Sequence, residues 1–600
     1  MSTFFGIDLG TSHCALATAN DRGEPKLAPI TQRVTASGVA EKDLLPSAIY
    51  LPAQGEQTPL PWESERFLTG VFARERGALQ PDRLITSAKS WLCHPHADPR
   101  SPLLPWGSAT VEEKWSPLEV TRQLLLHALE GSRQAQPDLE LDPKCGVITV
   151  PASFDESART LTLEAARLAG LGEEITLLEE PQAAFYAWLE RHGNDWRTQV
   201  SPGDLLLVCD VGGGTADFSL IAVSGRDGSL ALERVAVGEH LLLGGDNMDL
   251  ALAHGVSDAL AASGTELDDW QFLALVQAAR SAKETLLRDR SLEEVSLAIP
   301  TRGRGLVAST IRASLSREQV ETFVLEGFFP QTAPDDLPTL RRSGGLREAG
   351  LPYAPDAAIS RHLARFLSRA HLNAASSPQL LEAIGGAERL ERSPLLLPDA
   401  ILFNGGVFNA PVLRARVMEL LSGWAGRPVR ELEGAQPDHA VALGAAAYAR
   451  LRSTGEGVRI RAGTARSYYI GMESAAMAVP GRRPATKALC VAPQGMEEGA
   501  RHAIEGEEFF LYTGEATEFR FFSSEVRSGD EPGTLLPNTA GLEESARLET
   551  TLPPLEGRPP GEEVPVRMEA LVSELGNLEL YLVHQPTGQR WKLELNVRME

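Results

Sequence analysis

The sequence of 600 residues has few cysteines, no excess of basic charge and no long apolar run. The five cysteines are scattered and odd in number, which makes a disulfide framework unexpected and favours a reducing compartment. The formal net charge of −24 argues against a nucleic-acid or acidic-membrane partner, because either one attracts a basic face. The N-terminus enters an apolar strand without a basic region or cleavage site, so we expect no signal peptide and a cytoplasmic protein.

The length exceeds what one hydrophobic core supports, and the residue pattern changes along the chain. Residues 1–452 alternate apolar runs with amphipathic stretches, which predicts an α/β region with an insertion of unassigned role at about 329–398. Residues 453–463 are a plausible linker. Residues 464–600 carry short strands separated by Gly and Pro turns, which predicts a β-sandwich.

Ser116, Pro117 and Glu119 form a typical helix start, because serine caps the helix and proline fits its first position. Periodicity predicts helices at 117–131, 157–169, 181–191, 248–262, 270–288, 359–371, 411–423 and 438–452. Buried strands are predicted at 146–150, 205–209 and 400–403. Strands of the β-rich tail are predicted at 508–512, 518–523, 547–551, 564–571, 577–583 and 591–598.

The first candidate phosphate loop follows an apolar strand that carries Asp8 to its end. Gly10, Thr11 and Ser12 form the turn after it. Glycine lets the backbone approach a phosphate, the two hydroxyls can donate to its oxygens, and Asp8 could hold a hydrated Mg²⁺. Taken alone, the segment is equally compatible with an ordinary tight turn.

A second segment repeats this design further along the chain, again at the end of an apolar strand. Its residues are Asp210, Gly212, Gly213, Gly214 and Thr215. Three consecutive glycines after a buried strand are entropically costly, so packing alone rarely explains them. Two such loops suggest a duplicated fold whose halves face each other and hold the phosphates of one nucleotide. Neither loop has the Gly-Lys-Ser/Thr of a Walker loop or the glycine spacing of a dinucleotide turn.

A third glycine pair, Gly405 and Gly406, follows the predicted strand 400–403 and precedes the helix that begins near Pro411. This position suits a close approach of the backbone to an adenosine. By itself, the pair also fits a simple turn from strand to helix.

In this order, the segments resemble the actin–hexokinase–chaperone ATPase superfamily and, within it, the DnaK-type heat-shock protein 70 family, as a divergent, lidless bacterial-type member. The resemblance covers residues 1 to about 452 and, more weakly, the β-rich tail. Its motifs are 6–11 (GIDLGT), 150–155 (VPASFD) with Arg159, 179–184 (EEPQAA), 210–217 (DVGGGTAD), 243–246 (LGGD) with Asp249, 282–286 (AKETL), Gly405-Gly406 with Pro411, and 437–446 (PDHAVALGAA). It implies an α/β fold: a duplicated actin-like (ribonuclease-H-like) ATPase domain with two lobes, followed by a C-terminal β-sandwich.

The resemblance also implies a site that binds ATP or ADP with Mg²⁺ and hydrolyses ATP. Lys89 matches the family's catalytic lysine and would stabilise charge on the transferring phosphoryl group. The implied catalytic residues are Lys89, Glu180, Asp210, Thr215 and Thr11. The implied nucleotide contacts are Gly10, Thr11, Ser12, Gly212, Gly213, Gly214, Thr215, Gly244, Lys283, Gly405, Gly406 and Asp438. The implied magnesium residues, acting through water, are Asp8, Asp210 and Glu180.

The chain departs from the family pattern on the nucleoside side of the site. Glu284 stands where many members have an arginine that stacks on adenine, and Leu287 stands where a serine contacts the ribose. Residues 407–409 (VFN) replace a Ser-Thr-Arg segment. The phosphate chemistry matches the family, whereas the grip on adenosine is altered.

Three functions fit these patterns. A chaperone-like ATPase would couple hydrolysis to the binding of unfolded or extended peptides, with a co-chaperone or nucleotide-exchange factor as a further partner. A small-molecule kinase on the same fold would use Asp210 or Glu180 as its base, and a filament-forming ATPase would assemble with ATP. The β-rich tail favours the first. Residues 93–96 (CHPH) offer three possible metal ligands but match no zinc spacing.

Overall fold

The computed structural model describes residues 3–21, 23–53, 56, 67–94, 97–172, 174–193, 195–226, 229–301, 310–339, 351, 353–376, 378–434, 436–455, 460–461, 466–473, 486–494, 496, 500–504, 509–514, 516–524, 527, 529–551, 561–572 and 578–596. None of the helices in this part of the chain combines the length and the apolar character that a membrane crossing demands.

The first lobe surrounds a mixed sheet with strand order β11-β10-β1-β2-β3, with β6 also paired to β2. Its strands are β1 (Phe4–Leu9), β2 (His13–Ala19), β3 (Lys26–Leu27), β4 (Ile30–Arg33), β5 (Val39–Lys42), β6 (Leu45–Pro46), β7 (Ile49–Tyr50), β8 (Leu68–Thr69), β9 (Leu84–Ile85), β10 (Gly146–Val150) and β11 (Thr176–Glu179). Its helices are α1 (Gly70–Leu79), α2 (Ala88–Leu92), α3 (Pro117–Ala135), α4 (Glu156–Ala166), α5 (Glu180–His192) and α6 (Trp196–Gln199).

The second lobe repeats this order, as β18-β17-β12-β13-β14, and β19 extends its edge. Its strands are β12 (Leu205–Val211), β13 (Ala216–Arg226), β14 (Ser229–Val237), β15 (Glu294–Pro300), β16 (Thr310–Ser316), β17 (Ala400–Asn404), β18 (Arg430–Glu431) and β19 (Ile460–Arg461). Its helices are α7 (Gly245–Ala262), α8 (Asp269–Arg288), α9 (Arg317–Phe328), α10 (Ile359–Ser376), α11 (Pro378–Ala383), α12 (Glu388–Glu391), α13 (Pro411–Ala425) and α14 (Ala440–Thr454).

The two sheets are equivalent strand for strand. In each, the central strand (β1 or β12) pairs in parallel with a later strand (β10 or β17) and antiparallel with the strand that follows it. Asp8 and Asp210 are each the next-to-last residue of the central strand. The repeated order, which a duplicated fold requires, therefore places the two aspartates at corresponding positions, and the prediction of a mixed α/β region is confirmed.

Helices α5 and α14 pack against each other between the two sheets, and their small residues allow a close approach. A Cβ on Gly444 would lie 1.7 Å from the carbonyl oxygen of Ala183, and a Cβ on Gly6 would lie 2.4 Å from the backbone nitrogen of Ala446. The core around these helices contains side chains from both sheets. This packing fixes the start of α5, where Glu180 lies, relative to the end of β1, where Asp8 lies.

We expect Gly444→Ala to destabilise the protein by about 1–3 kcal/mol, because the added methyl group meets backbone atoms that cannot rotate away. Gly423→Ala is the matched control. Gly423 is also helical, in α13, but a Cβ there meets nothing within 4 Å, so this change should be neutral or stabilise by up to about 1 kcal/mol. Urea unfolding of both variants measures the difference. Equal stabilities would contradict the packing described for α14.

The C-terminal residues form two antiparallel sheets with a common core. One sheet has the order β25-β21-β20-β24-β26-β30, and the other has the order β22-β27-β28-β29 with β23 also on β27. The strands are β20 (Ser467–Glu473), β21 (Thr486–Ala492), β22 (Arg501–Ala503), β23 (Phe509–Tyr512), β24 (Ala516–Ser524), β25 (Leu535–Leu536), β26 (Glu543–Thr551), β27 (Glu563–Val572), β28 (Leu578–His584), β29 (Arg590–Lys592) and β30 (Glu594–Asn596). Ile470 and Phe521 of the first sheet share a hydrophobic core with Met568 and Leu582 of the second. The assignment of this region as a sandwich domain stays a prediction.

Each helix expected from periodicity is present, with bounds shifted by a few residues at most at its start and by up to five residues at its end. Ser116 caps α3 as expected, and its hydroxyl accepts from the Glu119 backbone N–H at 3.1 Å. The predicted insertion at 329–398 contains α10, whose Leu363 and Leu367 are buried in the core of the second lobe. Residues 340–350, 352 and 377 of that insertion lie outside the described residues, as do 508, 577 and 597–598 of the predicted strands.

The predicted linker at 453–463 begins inside α14, which ends at Thr454. Ile460 and Arg461 form β19 and pair in parallel with Leu232 and Glu233 of β14. Residues 456–459 and 462–463 lie outside the described residues. The chain between the two regions thus contributes a strand to the sheet of the second lobe.

Candidate functional site

A cleft between the two lobes collects most of the residues singled out from the sequence. The predicted residues that line it are Asp8, Gly10, Thr11, Ser12, Lys89, Glu180, Asp210, Gly212, Gly213, Thr215, Lys283, Gly405, Gly406 and Asp438. Gly214 and Gly244 do not line it. Gly244 lies behind the second loop, where a Cβ would come within 2.6 Å of the carbonyl oxygens of Gly212 and Gly213. The structure therefore brings together residues that are far apart in sequence.

The two glycine loops meet across the cleft. A Cβ on Gly213 would lie 1.8 Å from Ser12 Oγ, and one on Gly214 would lie 2.6 Å from Thr11 Cγ2. Ser12 Oγ is buried and has no hydrogen-bond partner within the described residues. The loops thus leave bare backbone and an unsatisfied hydroxyl facing the same space, an arrangement that suits an anion with several oxygen atoms.

Lys89 is the cation at the floor of the cleft. It lies in the short helix α2, its side chain is 6% exposed, and its ammonium donates to Glu180. Burial works against its charge, but Glu180 and Asp8 outweigh burial and raise the pKa of Lys89. Without the family motif, this residue would be expected on the surface. In the structure it is a buried, charged lysine that forms an ion pair with Glu180.

Asp8 and Asp210 are carboxyl groups whose ionised forms are disfavoured. Burial, followed by the charge of Glu180, raises the pKa of Asp8 to about 7, and the same two causes raise the pKa of Asp210 well above its ordinary value. Thr149 Oγ1 donates to Asp8 at 3.3 Å, and Asn404 Nδ2 donates to Asp210 at 2.6 Å. These hydrogen bonds lower the two pKa values, but by less than burial raises them.

This donor set fits a hydrated magnesium ion. Asp8, Glu180 and Asp210 line the same cleft as Lys89, and Asn404 Oδ1 in this cleft is buried without a hydrogen-bond partner in the described chain. Within the residues that the structure describes, no three His, Cys, Asp or Glu side chains are close enough together to ligate one ion directly. Magnesium keeps several of its waters in proteins, so Asp8, Glu180 and Asp210 would hold it through those waters.

The raised pKa of Asp8 predicts a pH-dependent cost to folding. Between about pH 4 and pH 7, folded Asp8 keeps a proton that the unfolded chain releases, so its contribution to stability falls as pH rises through this window. Without nucleotide and with EDTA, Asp8→Asn should therefore be more stable than the wild type at pH 8, by about 1–3 kcal/mol. The difference should vanish near pH 4.

Thermal unfolding of both proteins at a series of pH values tests this expectation. Asp21→Asn serves as control, because Asp21 is exposed and the same change there should have no effect at any pH. Parallel stability curves for the wild type and Asp8→Asn would show that Asp8 is not held in its protonated form.

Helix α8 lines one side of the cleft. Arg280, Lys283, Glu284, Leu287 and Arg288 lie on one helical face and line the cleft. Lys283 Nζ lies 2.6 Å from Asp249 Oδ1 and donates to the carbonyl of Gly245 at 3.0 Å.

Sequence reasoning missed Arg280. Its Nε lies 3.2 Å from Glu284 and its Nη1 lies 3.4 Å from Asp246. The spacing of Arg280 and Glu284, one helical turn apart, is the signal that could have found this pair. The carboxylate at 284 thus faces an arginine of the same helix.

Four other cleft residues were also missed. Asn409 Nδ2 donates to the predicted contact Asp438 at 2.7 Å, and Asn404 holds Asp210. Arg74 of α1 lies 3.2 Å from His13 Nε2. Burial, followed by Arg74 and Arg280, lowers the pKa of His13 to about 4, so its imidazole is neutral. No pattern in the sequence connects these residues, because only the tertiary packing within each lobe brings the partners together.

Comparison with known proteins finds similarity to one family of chaperones. Residues 101–333 match the family model described as "Hsp70 protein". A "Chaperone protein HscA homolog" from Acidithiobacillus ferrooxidans is 29% identical over 455 residues, which covers 74% of this chain and 57% of the relative. "Chaperone protein HscA" from Serratia proteamaculans is 30% identical over 385 residues, covering 55% of each chain.

A further "Chaperone protein HscA homolog", from Acinetobacter baylyi, is 30% identical over 296 residues, covering 48% of this chain and 42% of the relative. The chain spans about half the length of the curated relatives it matches.

Proposed function

Because the chain belongs to the Hsp70 family, we propose that it hydrolyses ATP in the cleft between its lobes and couples the reaction to the binding of extended peptides by its C-terminal sheets. The observation that carries the first half is the contact between the two glycine loops, at Ser12 and Gly213, beside three carboxylates and one buried lysine. Phosphoryl transfer depends mainly on positioning and on stabilisation of charge, and this arrangement supplies both.

The two loops bind and orient the phosphates. The backbone of Gly10 and of Gly213 offers N–H groups, and Thr11, Ser12 and Thr215 offer hydroxyl groups from opposite sides of the cleft. Because both loops end buried strands of rigid sheets, their donors are in place before substrate enters, which lowers the cost of ordering them. Lys89 supplies a fixed positive charge, held in position by Glu180.

The acidic residues prepare the attack on the terminal phosphate. Asp8, Asp210 and Glu180 would hold a magnesium ion through its water ligands. The charge of that ion would offset the negative charge of the phosphates. Glu180 begins α5, and its carboxylate would orient the attacking water while its contact with Lys89 keeps both side chains directed into the cleft. Asn404 would keep the Asp210 carboxylate in place through their 2.6 Å hydrogen bond.

The nucleoside would lie between α8 and the turn after β17. Lys283, Gly405 and Asp438 line this part of the cleft. Gly405 has a φ of +84°, and a Cβ there would lie 2.3 Å from the carbonyl oxygen of Val211. Only glycine fits this position, so the turn can approach a ligand closely. Arg280 and Glu284 would face the nucleoside as an ion pair.

Contacts that the connecting segment and the C-terminal sheets make with the second lobe support the coupling half of the proposal. Strand β19 pairs with β14 of the second lobe. A pocket is lined by Glu239, Arg365 and Arg369 from the lobe and by Ser523 and Glu543 from the C-terminal sheet. A peptide that displaced the C-terminal sheet would therefore disturb the contacts of this sheet with the second lobe.

Strand β23 carries the surface that would bind peptide. Phe510 and Tyr512 are 52% and 49% exposed, whereas Phe509 and Leu511 of the same strand pack on the core. Two large exposed rings on one strand face suit the side chains of an extended apolar peptide.

ATP turnover by the full chain, with and without an extended apolar peptide, tests this coupling. We expect the peptide to raise turnover several-fold, and a Gly/Ser peptide of equal length to leave it unchanged. The double variant Phe510→Ser, Tyr512→Ser should lose the stimulation. Phe323→Ser is the matched control, because Phe323 is an exposed aromatic residue on α9. A rate of ATP turnover that stays the same when the apolar peptide is added would refute the coupling.

A further inference from the structure

Two short segments from opposite lobes meet next to the cleft. Ser153 and Phe154 lie between β10 and α4 of the first lobe. Asp217 is the second residue of β13, directly after the second glycine loop, and His240 lies between β14 and α7 of the second lobe. Ser153, Phe154 and Asp217 are buried. The four residues do not line the cleft, so any role they have in its chemistry must act through residues that do.

The hydroxyl of Ser153 joins the two lobes. It donates to Asp217 Oδ1 at 2.6 Å, and its oxygen lies 2.9 Å from His240 Nδ1. Because a hydroxyl has one proton and the carboxylate receives it, Nδ1 is the donor in the second hydrogen bond. The same nitrogen lies 3.5 Å from Asp217 Oδ1. These three residues form the inter-lobe clamp.

The inter-lobe clamp is adjacent to two residues of the cleft. Asp217 lies directly opposite Asp210 in the pairing of β12 with β13, which places their side chains side by side on one face of the sheet. The ring of Phe154 lies 5.8 Å from the ammonium of Lys89 and 5.6 Å from the imidazole of His240. A shift of the clamp would therefore reach both an acidic residue and the lysine of the cleft.

The segment that carries His240 is bound to the start of β13. The Ala216 N–H donates to the carbonyl of Leu241 at 3.0 Å. The Gly238 N–H donates to the carbonyl of Phe218 at 2.8 Å. The histidine is thus fixed to the hairpin that contains the second glycine loop, and its contact with the serine ties that hairpin to the first lobe.

We propose that Ser153 and His240 are positioning residues, which hold the second glycine loop and Lys89 in a fixed relation by joining the lobes. The inference deepens the ATP hydrolysis proposed above and rests on it. Lys89 of the first lobe and Thr215 of the second would face the same phosphates, and a displacement of about 1 Å can cost about 10²-fold in rate. ATP binding is shared among many donors, so it should depend much less on the clamp.

Steady-state ATP turnover of Ser153→Ala tests the positioning role. Without the hydroxyl that contacts both partners, kcat should fall at least about tenfold, whereas KM for ATP should stay within about threefold of the wild type. Thr162→Val is the matched control, because Thr162 is a buried residue of α4 whose hydroxyl donates within its own helix, to the carbonyl of Ala158 at 2.8 Å. This control should keep its kcat. Equal values of kcat for the two variants would overturn the proposal.

Two substitutions at His240 separate positioning from a general loss of structure. His240→Gln removes the Nδ1 donor and should lower kcat about as much as Ser153→Ala. His240→Asn places an amide N–H close to the position of Nδ1 and should recover most of that loss. The double variant Ser153→Ala, His240→Gln should be no slower than either single variant, because both changes remove the same contact. Losses that multiply, or no recovery by asparagine, would contradict the proposal.

Hydrogen exchange of the full chain without nucleotide tests the clamp independently of turnover. The amides of Ala216 and Gly238 should exchange at least about tenfold faster in Ser153→Ala than in the wild type, because the segment that carries His240 has lost its tie to the first lobe. Thr162→Val should exchange at the wild-type rate at both amides. Unchanged exchange in Ser153→Ala would overturn the proposal. A wild-type chain that hydrolyses no ATP would refute the proposed function, while the exchange rates would still decide whether the clamp joins the lobes.

Discussion

Replacing Lys89 by alanine should lower ATP turnover by about 10²–10³-fold, which is the usual cost of removing one preorganised charge from a developing oxyanion. The lysine is buried and held by Glu180, so its charge is in place before the reaction begins. ATP binding should change much less, because the two glycine loops keep their donors. Phosphate release and ATP titration of the purified variant separate these two effects.

Lys144→Ala is the matched control for this experiment. Lys144 lies in the same lobe, but it is 66% exposed and its ion pair with Glu174 is 3.4 Å long, so its removal should leave turnover unchanged. A Lys89→Ala protein that is folded and hydrolyses ATP at the wild-type rate would show that Lys89 is not a catalytic residue.

Asp210→Asn should reduce magnesium-dependent turnover at least about 10²-fold, because it removes one of three negative charges at the metal-holding site while keeping the shape of the side chain. The same change should leave the protein without nucleotide at least as stable as the wild type. Burial and Glu180 disfavour the ionised form of Asp210, so a neutral amide relieves that cost. Opposite signs for activity and stability would separate a functional defect from a folding defect.

Asp258→Asn is the control, because Asp258 is an exposed residue of α7, and both its turnover and its stability should match the wild type. The account of Asp210 would be contradicted if Asp210→Asn kept its magnesium-dependent turnover, or if it unfolded more readily than Asp258→Asn.

Much of the cleft could be predicted because its key residues follow strand ends. Asp8 and Asp210 each lie near the end of an apolar run, and glycines follow within two residues. Strand ends and glycine turns are local features, so they are readable from one sequence. Helix boundaries could also be predicted from nearby residues, because caps such as Ser116 and periodic apolar faces define them.

The remaining cleft residues could not be predicted because tertiary packing alone brings them together. Asn404 reaches Asp210, and Arg74 reaches His13, across large separations in sequence. Residues 93–96 were considered as metal ligands from their residue types alone. Pro95 and His96 lie outside the described residues.

The second-lobe strands β13 to β16 were also missing from the sequence-based prediction. In β15 and β16 the buried positions are few and are separated by exposed ones, and the windows that reveal long helices do not register such short alternation. Helix α10 was predicted, but it was assigned to an insertion because the sequence around it is rich in Pro, Gly and Ser. Its apolar face is part of the second-lobe core.

The most direct test of a shared cleft is the stoichiometry and metal dependence of ATP turnover by the full chain. We predict one bound ATP per chain by calorimetry, and phosphate release that requires magnesium and stops when EDTA is added. A chain that binds no ATP, or that releases phosphate equally with and without a divalent ion, would contradict the claim that the loops after Asp8 and Asp210 hold one nucleotide between them.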